Sequence, residues 1–175
     1  GSQLSLPVSL IMEFKKAIHL LYVPTKYCNM SCRYCYLGEL TEDTPEPEKI
    51  LATLDTALAQ LLDHGYLPFN LSFHGGEVTT LPSRVLDRLF DTSARHYAMH
   101  GDQIKAQGFR VSPLHIKTNL LNFQKHWDVF VRHQVSISGS VDLPLRLHEQ
   151  FRRDKKGRST LERIQENHQA LATYP

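Results

Sequence analysis

Cys28, Cys32 and Cys35 are the three cysteines of this 175-residue chain, and they stand together as Cys28-Asn-Met-Ser-Cys32-Arg-Tyr-Cys35. Thiolates at CxxxCxxC spacing can hold three corners of a cubane iron–sulfur cluster, a cofactor ordinarily held by four cysteines. Three ligands leave one iron with an open position, and an open coordination position is where a metal site takes up a reactant. A zinc ion completed by a histidine such as His19 is a competing use of the same residues, although zinc sites usually bring cysteines as two CxxC-type pairs. Three unrelated thiols are a further alternative. Free cysteines tend to lie in apolar segments, whereas these stand among Lys26, Asn29, Ser31 and Arg33.

A second group is His74-Gly75-Gly76-Glu77, which follows the alternating stretch FNLSF. Glycines after a strand are ordinary turn formers. The absence of side chains also lets backbone approach a ligand closely, and the Glu77 carboxylate can accept a charge-assisted hydrogen bond from an ammonium group.

These residues need a framework. Residues 17–23 (AIHLLYV) end in Pro24 and read as a buried strand, with the cysteines in the loop after it. Ile50, Leu51, Leu54, Ala57, Leu58, Leu61 and Leu62 recur at helical spacing up to Gly65, a C-terminal cap. Residues 69–73 form a second predicted strand. Pro82, Val85, Leu86, Leu89 and Phe90 predict a second helix that ends before Gly101. Strands over 114–118 and 135–141 alternate with helices over 123–132 and 161–171. Strand and helix alternate through the chain, so the fold class is α/β with parallel strands joined by crossovers, closed as a barrel or doubly wound. In both, the working face is the C-terminal edge of the strands. The cysteine loop, the Gly-Gly-Glu turn, Asn119 with Thr118, and Ser140 all fall at or just past the C-terminal ends of predicted strands.

Composition narrows the class. The net charge of +2 is too weak to imply nucleic acid or a membrane surface. No apolar run approaches the roughly 20 residues of a spanning helix. An odd, clustered set of cysteines argues against a disulfide framework and for a reducing compartment, so a cytoplasmic location is expected. Residues 1–11 read as an expression remnant or N-terminal tail, and residues 12–175 as the domain.

The chain resembles the radical S-adenosylmethionine (SAM) enzymes from about Ile18 onward. That family carries CxxxCxxC in the loop after the first strand of a partial (β/α) barrel, with an aromatic residue before the last cysteine, here Tyr34. It has a Gly-Gly-Glu turn after the second strand, matched by Gly75-Gly76-Glu77, and a ribose-binding polar residue past the fourth, matched by Ser140. A narrower resemblance is to the peptide- and protein-modifying branch, the anaerobic sulfatase-maturating enzymes and peptide cyclases. It is carried by Ser140-Val141-Asp142-Leu143-Pro144, His148 and Phe151-Arg152-Arg153-Asp154-Lys155-Lys156-Gly157, and by Thr118-Asn119 within Ile116–Leu120. Val78, Lys117, Leu120 and Leu143 depart from the pattern, which has Pro, Gln, Gly and Gly at those places.

The resemblance implies a partial barrel of about four βα units, a 4Fe-4S cluster on the three cysteines, and SAM on its open iron. It implies Glu77 at the SAM ammonium, Arg152 at the carboxylate, the backbone near Tyr34 at the adenine and Ser140 at the ribose, with Gly75, Gly76 and Asn119 completing the site. The chemistry implied is reductive cleavage of SAM to a 5′-deoxyadenosyl radical that takes a hydrogen atom from a peptide. Crosslinking of a ribosomally made precursor peptide is the first expectation, and oxidation of a residue in a protein the second. A flavodoxin- or ferredoxin-type electron donor is the expected partner, with no nucleic acid and no membrane. Four βα units are half a full barrel, so the chain is expected to be the N-terminal part of a longer enzyme.

Overall fold

The computed structural model describes residues 15–35, 43–111, 114–140 and 145–175. The expected tail over residues 1–11 and the Val141, Asp142, Leu143 and Pro144 stretch lie outside the described residues. The elements run β1 (Lys16–Tyr22), β2 (Met30–Cys32), α1 (Pro47–Asp63), β3 (Tyr66–Phe73), α2 (Ser83–Ala106), β4 (His115–Thr118), α3 (Trp127–Arg132), β5 (Ser136–Gly139), α4 (Leu145–Phe151), β6 (Arg152–Asp154) and α5 (Leu161–Ala172). Short 3₁₀ turns over Val78–Thr80 and Gln124–His126 precede α2 and α3.

β1, β3, β4 and β5 form one parallel sheet in that order. Every second residue of these strands enters a single core: Leu20 and Tyr22 of β1, Leu71 and Phe73 of β3, Ile116 of β4 and Ile137 of β5. The same core takes Ile50, Leu54 and Leu58 from α1, Leu86 and Phe90 from α2, and Phe130 from α3, and Leu171 packs against it from α5. The core-forming helices therefore lie on one face of the sheet. Sequence alone left barrel and doubly wound sheet open; one covered face is the arrangement of a barrel wall. On the other face, register aligns Leu21, Ser72, His115 and Ser136 in one row across the strands.

The fold departs from expectation in three places. α2 runs through Gly101 to Ala106 and stops before Gly108, which sits at φ 86°. A lone glycine costs a helix only about 1 kcal/mol, and Ile104, wholly buried, continues the apolar stripe of Leu86, Phe90 and Tyr97 past it. The second is the antiparallel pair of β2 and β6, unexpected from sequence because three-residue strands carry no readable period, and the third is the short α4, which lies between the fourth predicted strand and the last predicted helix.

Candidate functional site

A cavity of about 280 Å³ opens at the C-terminal edge of the parallel strands, and all ten residues expected at the site line it. Cys28, Cys32, Tyr34 and Cys35 come from the segment after β1. Gly75, Gly76 and Glu77 follow β3, Asn119 follows β4, Ser140 follows β5, and Arg152 opens β6. Met30, His74, Lys117 and Thr118 also line it and were not among the ten. Strand alternation was the available signal for Lys117, which lies two residues beyond His115 on the same strand face.

The cysteine segment is held by β6. Met30 pairs with Asp154, Ser31 with Arg153 and Cys32 with Arg152; Arg33 N–H donates to the Phe151 carbonyl at 3.2 Å. This ladder carries Arg152 to the cysteines. Its guanidinium lies 5.4 Å from the centroid of the Tyr34 ring, which meets Phe151 edge-on at 6.2 Å. Thr160 Oγ1 donates to the Arg152 carbonyl at 2.8 Å, and His148 Nε2 lies 3.2 Å from that hydroxyl. Burial pushes the Cys28 thiol up to about 11, and Glu77, Cys32 and Cys35 add to the rise against a hydrogen bond from Met30 N–H.

The Gly-Gly-Glu turn is packed against the chain itself. Gly76 N–H donates to the Thr25 carbonyl at 3.2 Å and Glu77 N–H to the Tyr27 carbonyl at 2.8 Å. A Cβ at Gly76 would overlap the carbonyl oxygens of Lys26 and Tyr27, and one at Gly75 (φ +135°) would overlap that of Thr25. The glycines thus let the backbone that leads into Cys28 lie flat on the β3 rim, while still lining the cavity. Glu77 is 3% exposed. Its Oε1 accepts from Thr79 Oγ1 at 2.6 Å, Thr118 Oγ1 at 2.5 Å and Thr79 N–H at 3.4 Å, and its Oε2 from Asn119 N–H at 2.7 Å. Burial pushes the carboxyl up and these donors pull it back. Oε2, with one donor, is the oxygen with acceptor capacity left.

Asn119 ties the cysteine segment to the β4 rim. Its Nδ2 donates to Asn29 Oδ1 at 2.8 Å and lies 3.9 Å from Cys28 Sγ, and its Oδ1 accepts from Leu121 N–H. Ser140 N–H donates to the Thr118 carbonyl at 2.9 Å. Leu120, where the resemblance has glycine, adopts φ 68° and is fully buried. Its side chain lies over Gly139, at which a Cβ would strike Leu120 Cδ1.

Among the described residues, no group of three His, Cys, Asp or Glu side chains is arranged to hold a single metal ion. The donor chemistry fits a cluster held at three corners: three partly buried thiols from one segment, none of them in a disulfide, line one cavity, and its rim also carries a carboxylate, an amide and a hydroxyl.

No protein-family model matches the chain. It is 23% identical over 157 residues to a serine-type anaerobic sulfatase-maturating enzyme of Bacteroides thetaiotaomicron, covering 86% of this chain and 36% of that protein. It is also 23% identical over 150 residues to an uncharacterized Synechocystis protein, again covering 86% of this chain and 36% of the relative. The fold is that of native anSMEcpe with bound AdoMet, with a TM-score of 0.65 at 17% identity over 88% of this chain and 40% of that one. The polyhistidine-tagged form with bound AdoMet gives 0.67 at 18% identity, over 90% and 41%. The form with bound AdoMet and Cp18Cys peptide gives 0.64 at 18% identity, over 91% and 40%. The chain is thus similar in sequence to a serine-type anaerobic sulfatase-maturating enzyme and in fold to anSMEcpe, and it spans less than half the length of these relatives. Among the described residues no helix is long and apolar enough to cross a membrane.

Proposed function

We propose that this chain carries a 4Fe-4S cluster on Cys28, Cys32 and Cys35 and binds SAM beside it, in a radical SAM enzyme that modifies a peptide. The observation that carries this reading is the single cavity that gathers the three cysteines with the Gly-Gly-Glu turn, Asn119, Ser140 and Arg152 from five separate places in the fold. The bound groups would supply the hard step, one-electron cleavage of SAM to a radical that takes a hydrogen atom from substrate. The protein supplies placement. Glu77 Oε2 takes the SAM ammonium and Arg152 its carboxylate. The backbone around Tyr34 meets the adenine, and Ser140 the ribose. Gly75 and Gly76 hold the turn close enough for backbone contact, and Asn119 fixes the cysteine segment.

The substrate in this reading is a peptide, with side-chain crosslinking of a ribosomal precursor ahead of oxidation of a residue in a protein. A flavodoxin- or ferredoxin-type protein supplies the electron. The similarity to a structure that holds both AdoMet and a peptide supports the substrate class. The test is anaerobic reconstitution with iron and sulfide, then incubation with dithionite and SAM. Wild type should turn brown and form 5′-deoxyadenosine, and the Cys28→Ala, Cys32→Ala and Cys35→Ala triple variant should do neither. A colourless protein that binds zinc stoichiometrically, or a triple variant that still holds iron and sulfide, overturns the reading.

A further inference from the structure

The sheet face turned away from the helices is polar. Barrel interiors are normally packed by bulky Val, Ile and Leu. Here the strands turn His19, Ser72, His74, His115, Lys117 and Ser138 to that side, with Leu21 and Val23 at the β1 edge. His19 Nε2 lies 2.8 Å from Ser72 Oγ and His115 Nδ1 lies 3.2 Å from Ser136 Oγ, which confirms that these side chains share one face. Among the described residues the second ring nitrogen of each has no partner. The charged neighbours that act on His74 are His115, Lys117 and His19, all basic. No Asp or Glu occupies a position of this face on β1, β3, β4 or β5. His74 and Lys117 also line the cavity of the cysteines, so the face is continuous with it.

We propose that this face binds a carboxylate of the substrate, an aspartate or glutamate side chain close to the carbon that is modified, with Lys117 Nζ as its ion partner and the His74 and His115 rings as hydrogen-bond donors. The proposal rests on the preceding reading for the identity of the ligand as substrate. Its physical ground is complementarity. An apolar residue laid on this face would bury a lysine with no counter-charge, which is costly. A carboxylate turns the same lysine and rings into charge-assisted partners and so selects acidic peptides over neutral ones.

The test is a titration of the full chain, labelled in its histidine rings, with N-acetyl-glutamate N-methylamide and, separately, with N-acetyl-glutamine N-methylamide. The acid should shift the His74 and His115 ring signals saturably. The amide, and the acid against Lys117→Gln, should bind at least about tenfold more weakly, the loss expected of one charge-assisted contact. Lys117 is exposed, so the variant keeps the fold. No saturable shift with the acid, an equal response to acid and amide, or an unchanged affinity in Lys117→Gln overturns the proposal. The titration requires neither cluster nor SAM. Its failure therefore leaves the radical reading intact, and failure to form 5′-deoxyadenosine removes that reading without touching carboxylate binding.

Discussion

Cys32 and Arg152 sit opposite each other as paired residues of the β2–β6 ladder, although most of the chain lies between them in sequence. The proposed cluster ligand and the proposed partner of the SAM carboxylate are thereby fixed to one another by the backbone pairing of β2 with β6.

Arg152→Gln removes the cation and keeps the ladder, which is built from backbone. SAM affinity of the reconstituted protein should fall about tenfold or more, the scale of one charge-assisted hydrogen bond. Iron and sulfide content should stay that of wild type. Equilibrium dialysis with labelled SAM measures the first and colorimetric analysis the second. An unchanged affinity would remove Arg152 from the site.

Glu77 joins the β3 rim to the β4 rim through Thr118 and Asn119. Glu77→Ala leaves the Asn119 and Thr79 N–H groups buried and unmet, at roughly 1–3 kcal/mol for each unsatisfied group. Urea unfolding should show lower stability in addition to weaker SAM binding. A variant with full stability would show that the carboxylate serves the ligand alone.

Gly76→Ala and Gly101→Ala should act in opposite directions. The first drives a methyl into the Lys26 and Tyr27 carbonyls. The Thr25–Tyr27 backbone must shift, at about 1–3 kcal/mol for overpacking, and the cysteine segment shifts with it, so cluster content should drop. The second adds a methyl 3.5 Å from Val111 Cγ2, an ordinary contact, within a regular helix. It should raise stability by about 0.5–1 kcal/mol through helix propensity. Thermal melts of both variants check this, and destabilisation by Gly101→Ala would contradict the geometry of α2.

Stability should fall as pH drops from about 7.5 to about 5.5. His96 Nε2–H donates to the Pro68 carbonyl at 2.6 Å and His126 Nε2–H to that of Thr79 at 2.7 Å. Burial holds both rings below the ordinary 6.5. The unfolded imidazoles therefore bind protons first. Their contribution is whole above pH 6.5 and is lost as pH falls through the lower folded values. Glu77 acts in the opposite sense, because its carboxyl is raised and the cost of its buried charge fades in acid. Urea midpoints at the two pH values should differ, and His126→Gln should narrow the difference. A flat profile in wild type would mean that these rings are not buried in solution.

The alternation of apolar strands with helical stripes was legible because periodicity is local: Ile50, Leu54 and Leu58 mark a helix face, and Leu71 with Phe73 a strand face, whatever packs on them. The CxxxCxxC spacing and the two glycines were equally local, and they were enough to point to a cluster and a close backbone approach. What the glycines approach was not legible. The carbonyls of residues 25–27 occupy that space only because β1 and β3 pair in parallel and bring both strand ends to one rim. The same holds for Glu77, whose partners at Thr118 and Asn119 arrive from β4, and for Arg152, which reaches Cys32 through two three-residue strands too short to show a period. The polar face of His74, His115 and Lys117 also needed the fold, since strand alternation marks two faces without saying which one the helices cover. Residue types and spacing along the chain set the elements and the donor atoms. Pairing between distant strands decided which donors meet, because that depends on how the core packs and not on any single stretch of sequence.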